Sequence, residues 1–134
     1  MANLKTYIVE DSPVIRENLV ATLEELAPVE VVGTAEDETA AVVWLSVNAA
    51  SCDLVIVDIF LKSGSGLGVL ASSHLRTTRT KVVVLSNYAT ADMRRKCLEL
   101  GADRVFDKSN EIDSLVNYCV SHALDRDSGS GAAR

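Results

Sequence analysis

The chain has little of what would tie it to a membrane, to nucleic acid or to the cell exterior. No apolar run in its 134 residues approaches the ~18 needed to span a bilayer. The opening stretch MANLKTYIVE lacks the basic start and long apolar core of a secretory signal. Lysine and arginine number 13 against 19 acids, for a net charge of −6, whereas a nucleic-acid-binding surface is expected to be basic. This acidity favours solubility and a cationic partner or ion, and it excludes nothing about fold. Cysteine is scarce: Cys52, Cys97 and Cys119 fall at scattered spacings, with neither a CxxC pair nor a histidine cluster. That pattern reads as buried, reduced thiols in a cytoplasmic protein rather than a disulfide or zinc framework.

The rest of the composition is that of one globular domain, with 48% apolar and 24% charged residues. Short β-branched runs alternate five times with longer amphipathic segments: Lys5 to Glu10, Val29 to Ala35, Asp53 to Ile59, Lys81 to Asn87 and Arg104 to Lys108. The third and fourth are almost wholly apolar, as expected of strands buried on both faces of a parallel sheet. Between the runs, Ile15, Leu19, Leu23 and Leu26 fall on one helical stripe. So do Met93, Cys97 and Leu100, and further on Ile112, Leu115 or Val116, and Cys119. Ser12-Pro13 reads as an N-cap followed by proline at the first helical position. Gly101 reads as a helix stop. Strand then helix, five times over, predicts a doubly wound α/β domain with a parallel sheet. The polar, glycine-containing segment from Asp125 to Arg134 reads as a flexible tail or the start of a linker.

In such sheets ligands bind outside the carboxyl ends of the strands, so the residues there are the candidates. They are Glu10-Asp11, the acidic run Glu36-Asp37-Glu38, Asp58, Ser86-Asn87 and Asp107-Lys108. The stretch DLVIVDIFLKSGSGLGVL, Asp53 to Leu70, sets an acid against a glycine-rich loop. A dinucleotide site would place G-x-G-x-x-G after the first strand, with an acid about 20 residues on. Here Gly64, Gly66 and Gly68 follow the third strand, the last of them one residue early, and no P-loop pattern occurs. The glycines are therefore expected to permit left-handed turns in the loop.

The acids carry the chemistry. Glu10, Asp11 and Asp58 at neighbouring strand ends would repel one another unless a cation sat among them, which implies a hard divalent ion with magnesium favoured. Lys108 adds an ammonium and Ser86 a hydroxyl. Carboxylate, magnesium, ammonium and hydroxyl together suit a transferring phosphoryl group, whose charge spreads over three oxygens. A carboxylate can itself be the nucleophile, forming an acyl phosphate.

From Lys5 to about Ala123 the chain resembles the receiver domain of two-component response regulators. YIVEDS, LVIVDIFL, VVVLSN and GADRVFDKS carry the resemblance, in order and on the matching elements. It implies a flavodoxin-like, five-stranded sheet in the order 2-1-3-4-5, with residues 1–124 as the receiver and 125–134 as the tail. It further implies Asp58 as phosphoacceptor and Asp11 and Asp58 as Mg2+ ligands. Glu10 would act through the ion's water shell, and the backbone carbonyl of Phe60 would complete the protein ligands. Ser86 would bond a phosphoryl oxygen and Lys108 would pair with the phosphoryl group. A histidine kinase or phosphotransfer protein would be the donor, and a downstream protein the recipient of the signal, with no direct contact to nucleic acid or membrane.

The departures from the family pattern are specific. Glutamate stands first in the Glu10-Asp11 pair, Lys62 replaces a loop proline, Asn87 replaces a small residue and Ser109 replaces a proline after the lysine. Val105 holds the place of the aromatic that rotates on activation, and Phe106 beside it is expected to point into the core by strand alternation. The lone His74 and His122 are not expected to donate phosphoryl groups. Arg94-Arg95-Lys96 reads as a solvated helix face, and Trp44 as core or the margin of the second helix. Two other readings remain. One is a phosphatase with an aspartyl-phosphate intermediate, whose D-x-D pattern would need an acid at Phe60. The other is an unphosphorylated binding module.

Overall fold

The computed structural model describes residues 3–72, 79–87 and 89–132, with side chains to residue 125. Among these residues five strands form one parallel sheet in the order β2-β1-β3-β4-β5. They are β1 (Leu4–Val9), β2 (Val29–Ala35), β3 (Leu54–Val57), β4 (Lys81–Ser86) and β5 (Arg104–Asp107). The helices are α1 (Pro13–Leu26), α2 (Glu38–Asn48), α3 (Gly66–Leu70), α4 (Ala91–Glu99) and α5 (Ile112–Ala132). The doubly wound order expected from the sequence is the observed one.

Alternation along the strands separates two apolar layers. Tyr7, Val9, Val55, Val57, Val84 and Val105 face one side, where Ala41 and Leu45 of α2, Leu70 of α3 and Cys97 of α4 cover them. Leu4, Ile8, Leu54, Ile56, Leu85 and Phe106 face the other, beneath Leu19 and Leu23 of α1 and Leu115 and Cys119 of α5. Val105 and Phe106 thus take opposite faces, and Phe106 is core. Trp44 stacks on Tyr7 with ring centroids 3.9 Å apart, which sets it at the inner margin of α2. All three thiols are buried.

Local signals placed the helix ends. Ser12 caps α1 by accepting the Ile15 amide, with Pro13 in the first turn. Gly101, at φ +109°, ends α4 in a conformation that a side chain would strain. The α1 stripe is shorter than its periodicity suggests: Leu19 and Leu23 are buried, but Ile15 is 38% and Leu26 56% exposed. Only the middle turns of α1 lie over the sheet. The backbone of α5 stays helical to Ala132, through residues that read as a tail. No proline intervenes to stop it, and Gly129 and Gly131 lie within the helix rather than ending it. No helix among the described residues is long and apolar enough to cross a membrane.

Candidate functional site

The site grows from strand register. β1 and β3 are neighbours with Val9 opposite Val57, so Glu10 and Asp58 leave adjacent strands side by side. The Asp58 amide donates to the Val9 carbonyl at 2.9 Å, extending the ladder by one step. Glu10, Asp11 and Asp58 each offer a carboxylate oxygen within 4.8 Å of the others. Two of the three are deeply buried, Glu10 at 2% and Asp58 at 6% exposure.

Such burial needs a counter-charge. It comes from Lys108, which leaves the end of β5, two strands away from β3. Its amide donates to the Ser86 carbonyl at 3.0 Å. Its side chain crosses the end of β4, and Nζ donates to Glu10 Oε1 at 2.5 Å and to Asp58 Oδ2 at 2.9 Å. Desolvation pulls against the Lys108 charge, but the hydrogen bonds and charges of Glu10 and Asp58 prevail and its pKa is raised. Burial pushes the Glu10 carboxyl up, against the opposing pull of its bonds from Lys108 and the Ser12 amide.

The remaining carboxylate oxygens are met by backbone. Ser12 N–H donates to Glu10 Oε2 at 3.0 Å and Phe60 N–H to Asp58 Oδ1 at 3.2 Å. Lys62 N–H donates to Asp11 Oδ2 at 2.7 Å, which ties the loop after β3 to the loop after β1. Gly66 lies so close to the Asp58 carbonyl that a Cβ there would overlap it. Ser86, fully buried, ends β4 beside β3 and pairs in register with Asp107. The Phe60 ring is half exposed at the rim. An all-oxygen set this close suits a hard divalent cation such as Mg2+, so the residues fit the ion that the sequence implies.

The structure therefore brings together Glu10, Asp11, Asp58, Lys108 and the backbone at Phe60, with Ser86 at the same end of the sheet. Asp107 does not join them; its carboxylate accepts the Ser109 amide and hydroxyl, which lower its pKa. His74 lies outside the described residues. Of the glycines in the loop, only Gly64 has a positive φ, at +78°. Gly66 is required by close approach to the Asp58 backbone instead, and Gly68 leaves room for the Glu38 carboxyl.

Two arginines escaped the sequence reading. Arg16 donates from Nη1 to the Glu10 carbonyl at 3.0 Å and supports the loop after β1. Arg94 is not a solvated residue of the α4 face. Its guanidinium donates to the carbonyls of Ala89 and Val105, both at 2.9 Å, and to Glu111 Oε1 at 2.7 Å. The bond from Arg94, together with that from the Asp107 amide, holds the Glu111 carboxyl below its usual range. One residue thus joins the loop after β4 to the edge strand β5 and the start of α5. Nothing in the spacing of an RRK run distinguishes such a clamp from its neighbours. Arg94→Met should cost about 1–3 kcal/mol in urea unfolding, because two carbonyls and a carboxylate lose a charged donor. Arg95→Met, which loses only an exposed i,i+3 pair to Asp92, should stay within about 0.5 kcal/mol of the parent. Equal losses would mean that Arg94 is only a surface residue.

Comparison with known proteins agrees with this geometry. The cyclic di-GMP phosphodiesterase of Thermotoga maritima is 31% identical over 121 residues, covering 90% of this chain and 31% of that protein. The chain thus spans about a third of the length of that relative. The signal receiver domain of the response regulator NarL from Mycobacterium tuberculosis superposes with a TM-score of 0.76 at 24% identity, covering 96% of this chain and 99% of that one. A response regulator from Burkholderia pseudomallei, solved with a phosphorylated aspartic acid, calcium ion and citrate, gives 0.73 at 19% identity over 98% and 75% of the two chains. The sequence profile of the response regulator receiver domain matches residues 6–119, from within β1 to within α5 and across every residue of the carboxylate cluster. By that span the chain belongs to the response regulator receiver domain family.

Proposed function

We propose that this receiver domain, a module of phosphorylation-dependent signalling, accepts a phosphoryl group on Asp58 from a phosphohistidine of a histidine kinase or phosphotransfer protein. A carboxylate oxygen of Asp58 forms the new bond to phosphorus. The bond from phosphorus to the donor nitrogen breaks, and its electron pair leaves with the imidazole. Lys108, already bonded to Asp58, neutralises the incoming phosphoryl oxygens, and Ser86 donates to one of them. Asp11, Asp58 and the Phe60 carbonyl would hold Mg2+, with Glu10 reaching it through water. The ion supplies charge neutralisation at the phosphoryl oxygens. Output is contact with a downstream protein in the cytoplasm, by residues 1–124, with 125–134 as a tail.

The observation that carries this reading is the 2.9 Å bond from Lys108 to an acid that sits among two further carboxylates. The phosphatase alternative lacks its second acid, since Phe60 stands there with its ring at the rim. Cyclic di-GMP hydrolysis is an activity of a protein three times as long, and nothing in this site calls for it. Incubation with acetyl phosphate and magnesium, followed by intact-mass measurement, should show one phosphoryl adduct. No adduct under conditions where the protein is folded and metal-loaded would overturn the proposal.

The ligand roles have their own test. Asp11→Ala should weaken magnesium binding at least tenfold, because it removes a direct carboxylate. Glu10→Gln should weaken it much less, since an amide oxygen can still accept from a bound water. Isothermal titration compares them directly, and equal losses would show the two roles to be misassigned.

A further inference from the structure

The glycine-rich loop after β3 already holds an anion, and it is a carboxylate of this chain. Glu38, the first residue of α2, donates its amide to the Ser63 carbonyl at 3.2 Å. Its Oε1 accepts the Ser65 amide at 2.9 Å. Gly64 and Gly68 flank it: a Cβ at 64 would lie 2.5 Å from the Glu38 Cβ, and one at 68 would overlap the carboxyl group. A side chain at 68 would therefore make the carboxylate shift from this position.

The loop is thus pinned at both ends. Its near half carries the Phe60 amide to Asp58 and the Lys62 amide to Asp11. Its far half is held by Glu38 and closes back on the start of the loop, where the Gly66 amide donates to the Ile59 carbonyl at 3.0 Å. Residues 60–62, which touch two of the three site carboxylates, are suspended between these anchors. We propose that Glu38 is a positioning residue for the phosphoacceptor loop, setting the Phe60 carbonyl and the Lys62 amide over Asp58 and Asp11 from outside the site. The inference rests on the phosphoryl-acceptor reading above for its effect on rate, but not for its effect on the loop.

Three variants test it. Glu38→Ala removes the anchor. Gly68→Ala leaves Glu38 in the sequence and makes its carboxylate shift. Alanine is also the better helix former of the two residues at 68, so lost order there cannot come from helix propensity. Glu38→Gln keeps an acceptor oxygen for the Ser65 amide. Hydrogen exchange in the metal-free protein should show the Lys62 and Ser65 amides at least tenfold faster in both alanine variants and near the parent in Glu38→Gln. The double variant should be no faster than Glu38→Ala alone, because both changes remove one contact. Phosphorylation by acetyl phosphate should slow by about 10- to 100-fold, the scale of a misplacement near 1 Å. Unchanged Lys62 exchange in Glu38→Ala, or additive effects in the double variant, would overturn the proposal. If the parent takes up no phosphoryl group, the acceptor reading fails while the exchange data still judge the anchor.

Discussion

Asp58→Asn should take up no phosphoryl group from acetyl phosphate and magnesium, and the variant should be at least as stable as the parent. The first half follows from chemistry, since a neutral amide is no nucleophile for phosphorus at neutral pH. The second follows from counting charges in the site. Removing one partner of a buried ion pair usually costs about 3–5 kcal/mol, because the other charge is left uncompensated. Here Lys108 keeps Glu10, bonded at 2.5 Å. The asparagine oxygen can still accept from Lys108 or from the Phe60 amide. What disappears is the repulsion between Asp58 and its two neighbouring acids, all with oxygens within 4.8 Å. A gain of about 0–1 kcal/mol in urea unfolding is the expected balance. An adduct that persists in this variant would move the phosphoacceptor elsewhere. A loss above about 2 kcal/mol would show that Asp58 contributes more to the fold than to the repulsion.

Lys108→Met should have the opposite signature. It removes the cation that, among the described residues, is bonded to both buried carboxylates, while the methionine keeps most of the volume. Glu10 and Asp58, at 2% and 6% exposure, then lose their shared ammonium. The expected loss is about 3–5 kcal/mol in metal-free buffer. Magnesium should recover a large part of it, because a divalent ion among the three carboxylates replaces the missing charge and binds only the folded state. The parent should gain less from the same addition, since its carboxylates already have an ammonium. Thermal unfolding of both proteins with and without magnesium measures the difference. A loss under about 1 kcal/mol, or equal stabilisation of the two by the ion, would mean that Lys108 is not the counter-charge of this site.

The reach of Lys108 shows where sequence reasoning stops. By itself the sequence determined the five strands, because a parallel sheet buried on both faces demands apolar β-branched runs, and LVIV and KVVVLS supply them. It determined the start of α1 through Ser12-Pro13, and the opposite facing of Val105 and Phe106, since capping and strand alternation are local rules. It also determined which acids stand at the strand ends, and therefore most of the candidate site. Only the tertiary structure decided what those side chains meet. Lys108 bonds Glu10 across 98 positions of sequence, and Lys62 bonds Asp11 across 51. Neither pairing follows from spacing, because it depends on which strands are neighbours and how far a side chain can cross between them. Arg94 and Arg95 adjoin in sequence, but their positions on α4 send one to three acceptors and leave the other on the surface. The glycine loop is the clearest case. Its sequence admits left-handed turns at three positions, yet only Gly64 makes one. Gly66 is glycine because the Asp58 carbonyl comes too close for a Cβ, and Gly68 gives the Glu38 carboxyl its room. That proximity exists only once α2, β3 and α3 have packed together, and no local pattern records it.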